Sequence, residues 1–139
     1  MQYLLDTCVL SELVARQANP KVVSLIDSLD EQSTAISAIT VGELHRGIER
    51  LAPSARKRQL QKWLSVDLAE RFAGRVLPID EPVARRWGRL LAMCEARGRV
   101  LPLMDSWVAA VALEHGLTLV TRNVRDFDGT GVPLVNPWE

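Results

Sequence analysis

The chain has 139 residues, 47% of them apolar and 24% charged, an ordinary globular composition and enough length to bury a core without disulfides. Seventeen basic residues balance seventeen acidic ones, so bulk charge gives no pull towards nucleic acid or an anionic membrane. No apolar run approaches the roughly 20 residues that span a bilayer, and an N-terminus that meets Asp6 does not read as a secretory leader. The expectation is a single cytoplasmic domain over residues 1–139, with no membrane partner.

Tyr3-Leu4-Leu5 is a short apolar run that predicts a buried strand ending at Asp6. Val9 to Ala15 reads as a helix, and Pro20 suits the first turn of a second one through Leu29. Thr34-Ala35-Ile36 is a short strand. From Thr40, Val41, Leu44, Ile48 and Leu51 recur at helical spacing. Pro53 opens a basic helix to about Ala73. Val76 to Ile79 is a third strand, its proline marking an edge or an end. Glu81-Pro82 starts a helix that closes at Gly98, and Leu103 to His115 forms another, ended by Gly116. Leu117 to Thr121 is the clearest strand. A turn-rich segment from Asn123 to Gly131 precedes a short strand at Leu134-Val135. Short strands alternating with helices predict an α/β fold, with a mostly parallel sheet of four or five strands and helices on both faces.

Arginine outnumbers lysine fourteen to three, and the bases are bunched. Arg46, Arg50, Arg56, Lys57, Arg58 and Lys62 form one stretch; Arg85, Arg86, Arg89, Arg97 and Arg99 form another. They read as solvated helix faces or as phosphate contacts, for which the guanidinium fork is suited. Cys8 and Cys94 have no metal-ligand spacing and read as buried thiols. His45 and His115 read as surface histidines.

In an open parallel sheet, ligands collect beyond the carboxyl ends of the strands. Asp6 ends the first strand, and Thr121, Asn123 and Asp126 follow a later one. Glu43 and Asp105 lie in the first turns of helices that open towards the same rim. Each acid also has an ordinary structural use. Asp6 and Asp105 are placed where a helix N-cap is expected, Thr40 and Glu43 have capping-box spacing, and Asp126 suits a turn. Their apolar surroundings favour a different role, because clustered carboxylates losing hydration need a compensating cation. All-oxygen donors without a histidine or cysteine set point to Mg2+, with Mn2+ as substitute. Such a metal suits phosphodiester hydrolysis without a side-chain nucleophile. Thr7, Ser11, Ser106 and Thr121 are hydroxyls that either orient water or metal, or cap turns.

Four stretches in order resemble the PIN-domain ribonucleases: Leu4-Leu5-Asp6-Thr7-Cys8-Val9-Leu10-Ser11-Glu12, Ile39-Thr40-Val41-Gly42-Glu43-Leu44-His45-Arg46-Gly47-Ile48, Asp105-Ser106-Trp107-Val108-Ala109-Ala110-Val111-Ala112, and Leu119-Val120-Thr121-Arg122-Asn123-Val124-Arg125-Asp126-Phe127. Within that family the chain is most similar to the VapC and FitB toxins of bacterial type II toxin–antitoxin pairs. The resemblance implies a three-layer PIN-like sandwich and a Mg2+-dependent endoribonuclease cutting transfer, ribosomal or messenger RNA. Asp6, Glu43 and Asp105 would hold metal, with Asp126 as a further catalytic acid. It also implies a homodimer, a VapB-like antitoxin assembled with the toxin as a hetero-oligomer, and operator DNA reached only through that antitoxin.

Relatives can carry aspartate where this chain has Asn123, so Asn123 and Asp126 both stand as candidates for the fourth position. Arg46 and Arg50, on the helix of Glu43, become candidates for RNA contact. Two other readings compete: a non-catalytic RNA- or partner-binding module, and a Mg2+-dependent phosphatase. A dehalogenase-type phosphatase needs aspartate where Cys8 stands, and the lysine of receiver domains has no counterpart after the late strand.

Overall fold

The computed structural model describes residues 1–139. Five short strands form one sheet in the order β3-β2-β1-β4-β5, every pair parallel. They are β1 (Tyr3–Leu5), β2 (Thr34–Ser37), β3 (Val76–Leu77), β4 (Thr118–Val120) and β5 (Leu134–Val135). Burial on both faces explains why they read as unbroken apolar runs. Leu4, Leu5, Ala35, Ile36, Leu119 and Val120 are all at most 1% exposed. Val76 is exposed on the edge strand, and Pro78, which has no N–H to donate, follows its end.

The chain adds strands on one side of β1, then returns to pair β4 on the other. Tyr3 aligns with both Thr34 and Thr118. Strand order therefore reverses at β1, where parallel sheets open a crevice at their carboxyl edge. Asp6 stands there, its N–H donating to Val120 O at 3.0 Å.

Helices cover both faces, as expected. One face carries α1 (Thr7–Leu13), α2 (Pro20–Ser28), α3 (Ala38–Glu49) and α4 (Ala55–Lys62). The last runs on through a π-helical segment at Trp63–Leu68 into α5 (Ala69–Arg71). Leu10, Val22, Ile26, Leu44, Ile48, Leu64, Leu68 and Phe72 pack with Leu5 and Val120 beneath them. The other face carries α7 (Leu103–His115), with α6 (Glu81–Ala96) laid against it. Alanine dominates the centre of α7, and small side chains let a helix buried on all sides approach its neighbours closely. Gly116 adopts φ 65°, a left-handed conformation that glycine takes without steric cost, and Leu117 N–H returns to Ala112 O.

Some boundaries and caps differ from the sequence reading. Helix α3 starts at Ala38, because Ser37 Oγ accepts the Thr40 N–H at 3.1 Å and caps it. Thr40 and Glu43 thus do not form a capping box. Ser54, accepting from Lys57 N, starts α4 two residues after Pro53. Asp105 is not an N-cap either: Pro102 holds that position, and Asp105 lies inside the first turn of α7. Asp6 does cap α1, accepting from Thr7 N.

Arg75 is a buried charge absent from the sequence reading. Its guanidinium donates to the carbonyls of Glu31, Thr34 and Arg71 and stacks over Phe72, tying β2 to the turn before β3. Both cysteines are free; Cys94 is buried and Cys8 half-buried. No helix is long and apolar enough to cross a membrane.

Candidate active site

Four segments bring carboxylates to the rim at the carboxyl ends of β1 and β4. Asp6 arrives from the end of β1 and is 4% exposed. A buried carboxylate survives only where its oxygens are hydrogen-bonded. Oδ1 accepts the Thr7 N–H at 2.9 Å, and Oδ2 accepts the Thr121 hydroxyl at 2.8 Å. The Cys8 thiol stands 3.9 Å from the same Oδ2. Burial raises the Asp6 pKa above its ordinary value, these hydrogen bonds oppose the rise, and the charge of Asp126 adds to it.

Asp105 shows the crowding most directly. Its pKa is pushed up to about 7, first by burial and then by the charges of Asp6, Asp126 and Glu43, with a hydrogen bond that the protonated Asp105 donates to the Asp126 carboxylate adding to the rise. The four acids anticipated from sequence therefore share one electrostatic neighbourhood. No three of them close on a point tightly enough to enclose an ion as they stand. The arrangement is an acidic mouth whose carboxylates repel one another.

Glu43 is held from a separate direction. It projects from α3 across to α1, where the Thr7 hydroxyl donates to Oε1 at 2.6 Å. Beside these two residues an apolar groove of about 230 Å³ opens, lined by Ser11, Val14, Leu44, Ile48, Leu60 and Trp63 among others. Ser11 is an exposed member of that wall.

The two candidates for the fourth position take different places. Asp126 lies in a 3-10 turn (Val124–Phe127), and its charge acts on both Asp6 and Asp105. Asn123 is exposed, and its backbone N–H donates to Thr121 Oγ1 at 3.0 Å, fixing the hydroxyl that Asp6 accepts. Ser106 is engaged elsewhere: it takes the Trp87 indole N–H at 2.9 Å and donates to Leu103 O.

Arg46 and Arg50 are exposed three and seven residues beyond Glu43, on the same side of α3, and neither makes an ion pair. Several other bases have structural uses. Arg56 donates to Val14 O, Lys57 to Glu49 O and Leu51 O, and Arg85 and Arg86 pair with Glu81 and Glu114. Two neighbours of the acids escaped the sequence reading. Cys8 touches both Asp6 and Thr121, and Thr40 touches Thr7. Thr40 was hidden because its spacing to Glu43 is also that of a capping box.

Hard oxygen donors and mutually repelling carboxylates make a donor set whose chemistry fits a divalent cation such as Mg2+ or Mn2+.

Comparison with known proteins places the arrangement in a family. The PIN domain model matches residues 3–132. Toxin FitB of Neisseria gonorrhoeae is 38% identical over 135 residues, covering 97% of each chain. VapC ribonuclease Y4jK of Sinorhizobium fredii is 35% identical over 136 residues, covering 98% of this chain and 97% of that one. Among solved structures, FitAB bound to the IR36 DNA fragment contains a chain that superposes with a TM-score of 0.94 at 36% identity, covering 99% of this chain and 96% of that one. With a family match, sequence identity and fold in agreement over nearly the whole length, the chain belongs to the PIN-domain family, among the toxins of the FitB and VapC kind.

Proposed function

We propose that the protein is a Mg2+-dependent endoribonuclease, the toxin of a type II toxin–antitoxin pair. One observation carries the reading: four carboxylates from separate segments meet at the carboxyl edge of β1 and β4, where Asp105 feels the other three. Like charges packed this way disfavour the apo state, and a divalent cation relieves them. Asp6, Asp105 and Glu43 are the residues that would hold it. When bound, Mg2+ neutralises charge on a phosphodiester and activates water for attack.

The chain's own groups supply the frame. Thr121 and Thr7 N–H fix both oxygens of Asp6, and Asn123 N–H fixes Thr121. Asp126 adds the fourth negative charge beside Asp105, and so takes the fourth position in preference to Asn123. Arg46 and Arg50 project free guanidinium groups from the helix that carries Glu43, and they serve to hold the RNA backbone.

The partner reading follows from the relatives. FitAB is solved on DNA, and FitB is named a toxin. A VapB-like antitoxin is therefore proposed here, with operator DNA contacted through it and the toxin present as a homodimer. An inhibitor segment that ends at this acidic mouth would need a cation to match it.

The test is cleavage of total RNA by the purified chain with Mg2+, with Mn2+, and after chelation. Wild type is expected to cut with either metal and to stop on chelation. Asp6→Asn and Asp105→Asn are expected to be inactive. Metal-independent cutting, or full activity in both variants, would sink the mechanism.

A further inference from the structure

The acidic mouth sets a problem for an RNA substrate. Four carboxylates at one sheet edge repel a polyanion, and side-chain cations at the rim offset that repulsion. Arg46 and Arg50 stand on α3, the helix that β2 leads into. Arg122 follows β4, on the other side of β1 from β2. It comes directly after Thr121, whose hydroxyl donates to Asp6. Its backbone N–H donates to Cys8 Sγ at 3.5 Å, which fixes the main chain at the lip of the mouth.

The side chain of Arg122 is exposed and makes no ion pair. Arg56, Arg75, Arg85, Arg86 and Arg99, by contrast, spend donors on carbonyls or carboxylates of the fold. An exposed arginine ordinarily samples many rotamers. Here the guanidinium lies over the ring of Trp138, its carbon 5.3 Å from the ring centroid. Such a contact engages the plane of the guanidinium and leaves its N–H donors for another partner.

Trp138 is itself held. Its backbone N–H donates to Asn136 Oδ1 at 2.9 Å, its indole N–H donates to Glu12 Oε1 at 3.2 Å, and it packs against the core under α1. Chain ends are usually loose, yet this penultimate residue is tied at its main chain, its ring edge and its apolar face. The tail leaves the carboxyl end of β5, the strand parallel to β4, and so arrives at the same edge as the acids.

We propose that Arg122, laid over Trp138, binds a phosphate of the RNA backbone on the β4 side of the mouth. The proposal rests on the nuclease reading above. A guanidinium with a fixed direction suits bidentate phosphate contact. Trp138 is then a positioning residue that acts through Arg122, by ordering in advance a side chain whose ordering would otherwise weaken binding.

The experiment is fluorescence anisotropy of a fluorescein-labelled single-stranded RNA of randomised sequence, titrated with the full-length chain in Mg2+. Every chain carries Asp105→Asn, so that binding is read without cleavage, and each variant is melted alongside. Arg122→Ala is expected to raise the Kd by about 10-fold, the size of a lost charge-assisted hydrogen bond. It is also expected to reduce the slope of log affinity against log salt by roughly 0.7, one phosphate contact on a single strand. Arg122→Lys keeps the charge without the fork and is expected to fall between. Trp138→Leu keeps an apolar cover without a ring face and is expected to weaken binding by about threefold, whereas Trp138→Phe stays within about twofold of the parent. Adding Trp138→Leu to Arg122→Ala is expected to weaken binding no further, since both remove one contact. With Asp105 restored, Arg122→Ala is expected to raise KM and leave kcat within about twofold.

Unchanged Kd and salt slope in Arg122→Ala overturn the proposal. A loss confined to particular sequences also overturns it, by assigning Arg122 to a base. Trp138→Leu binding as tightly as the parent reduces Trp138 to a cover for the core and overturns its positioning role. Should Trp138→Leu not fold, Arg122→Ala, at an exposed position, still decides the phosphate contact. A parent that binds no RNA, with a wild type that cuts none, overturns the nuclease reading itself, a failure distinct from a silent Arg122→Ala.

Discussion

The two faces of the sheet hold the acidic mouth in different ways. On the α7 side, Val108, Ala109, Ala110, Val111 and Ala112 are at most 1% exposed, wedged between the sheet and α6. Trp87 stacks on Trp107, two residues after Asp105, with ring centres 4.2 Å apart. On the α3 side the packing is looser. An open apolar groove separates α1, α3 and α4, and the helix beyond α4 relaxes into a π segment at Trp63–Leu68, a feature often found beside functional surfaces. Asp105 therefore emerges from a rigid wall that strips its water, while Glu43 crosses a more open one and depends on the Thr7 hydroxyl for its direction. The rigid face supplies strained charge; the looser face supplies an adjustable acid and room for a partner.

Metal removal breaks this contrast most severely. Asp6→Asn and Asp105→Asn are each expected to lower RNA cleavage more than about a hundredfold, beyond the usual effect of an outer partner, in a gel assay at saturating Mg2+. Glu43→Gln is expected to be milder in Mn2+ affinity than Asp105→Asn, because Glu43 sits on the adjustable side. Equal losses would erase the distinction between the faces.

Packing gives the next test. Ala110→Leu inserts bulk where nothing can yield and is expected to cost about 3 kcal/mol in urea unfolding. Leu60→Ala, in the wall of the groove, is expected to cost less than about 2 kcal/mol, the lower end for buried leucine, because that site is already partly open.

The acidity of Asp105 gives a pH signature. Its folded pKa, about 7, lies above the ordinary 3.8, so the folded apo protein holds a proton that the unfolded chain has released between those values. Stability from this group is full below about pH 4 and is lost as pH rises towards 7 and beyond. In chelator, Asp105→Asn is expected to melt above wild type at pH 8, by roughly 3 °C, with the gap closing at low pH. Adding Mn2+ at pH 8 is expected to stabilise wild type selectively. A gap unchanged between pH 4 and pH 8 would remove the electrostatic account.

The smallest effects belong to the exposed cations. Arg46→Ala and Arg50→Ala are each expected to weaken RNA binding evenly across sequences and to reduce the slope of log affinity against log salt by about one. A change in sequence preference would point to base contact in place of backbone contact.

Much of this was legible in sequence because it rests on local rules. The strand at Tyr3–Leu5, the helix Leu103–His115 with its Gly116 stop and the strand at Leu134–Val135 follow from periodicity and turn chemistry. Four motifs in family order named Asp6, Glu43, Asp105 and Asp126 before any geometry. Sequence was less informative where two uses share one spacing. Thr40 and Glu43 fit a capping box as well as a site, and the choice fell to Ser37, whose hydroxyl reaches the Thr40 N–H first. The same ambiguity hid the link from Thr40 to Thr7. The π segment was equally hidden, since its apolar spacing differs little from that of an ordinary helix.

The order of short apolar runs and helices by itself determined a parallel sheet with a carboxyl-edge crevice, because parallel strands need crossovers and crossovers run with one hand. Residue chemistry determined that four acids and no matching histidines were available for that crevice. Only the tertiary structure decided which acids feel one another, since that depends on the reversal of strand order at β1 and on the depth at which α7 is buried. It decided that Asp126 brings its charge beside Asp105, while Asn123 supplies its backbone N–H to Thr121. It also decided that Glu43 turns from its own helix cap to Thr7, because a side chain's partner is set by what packs across from it.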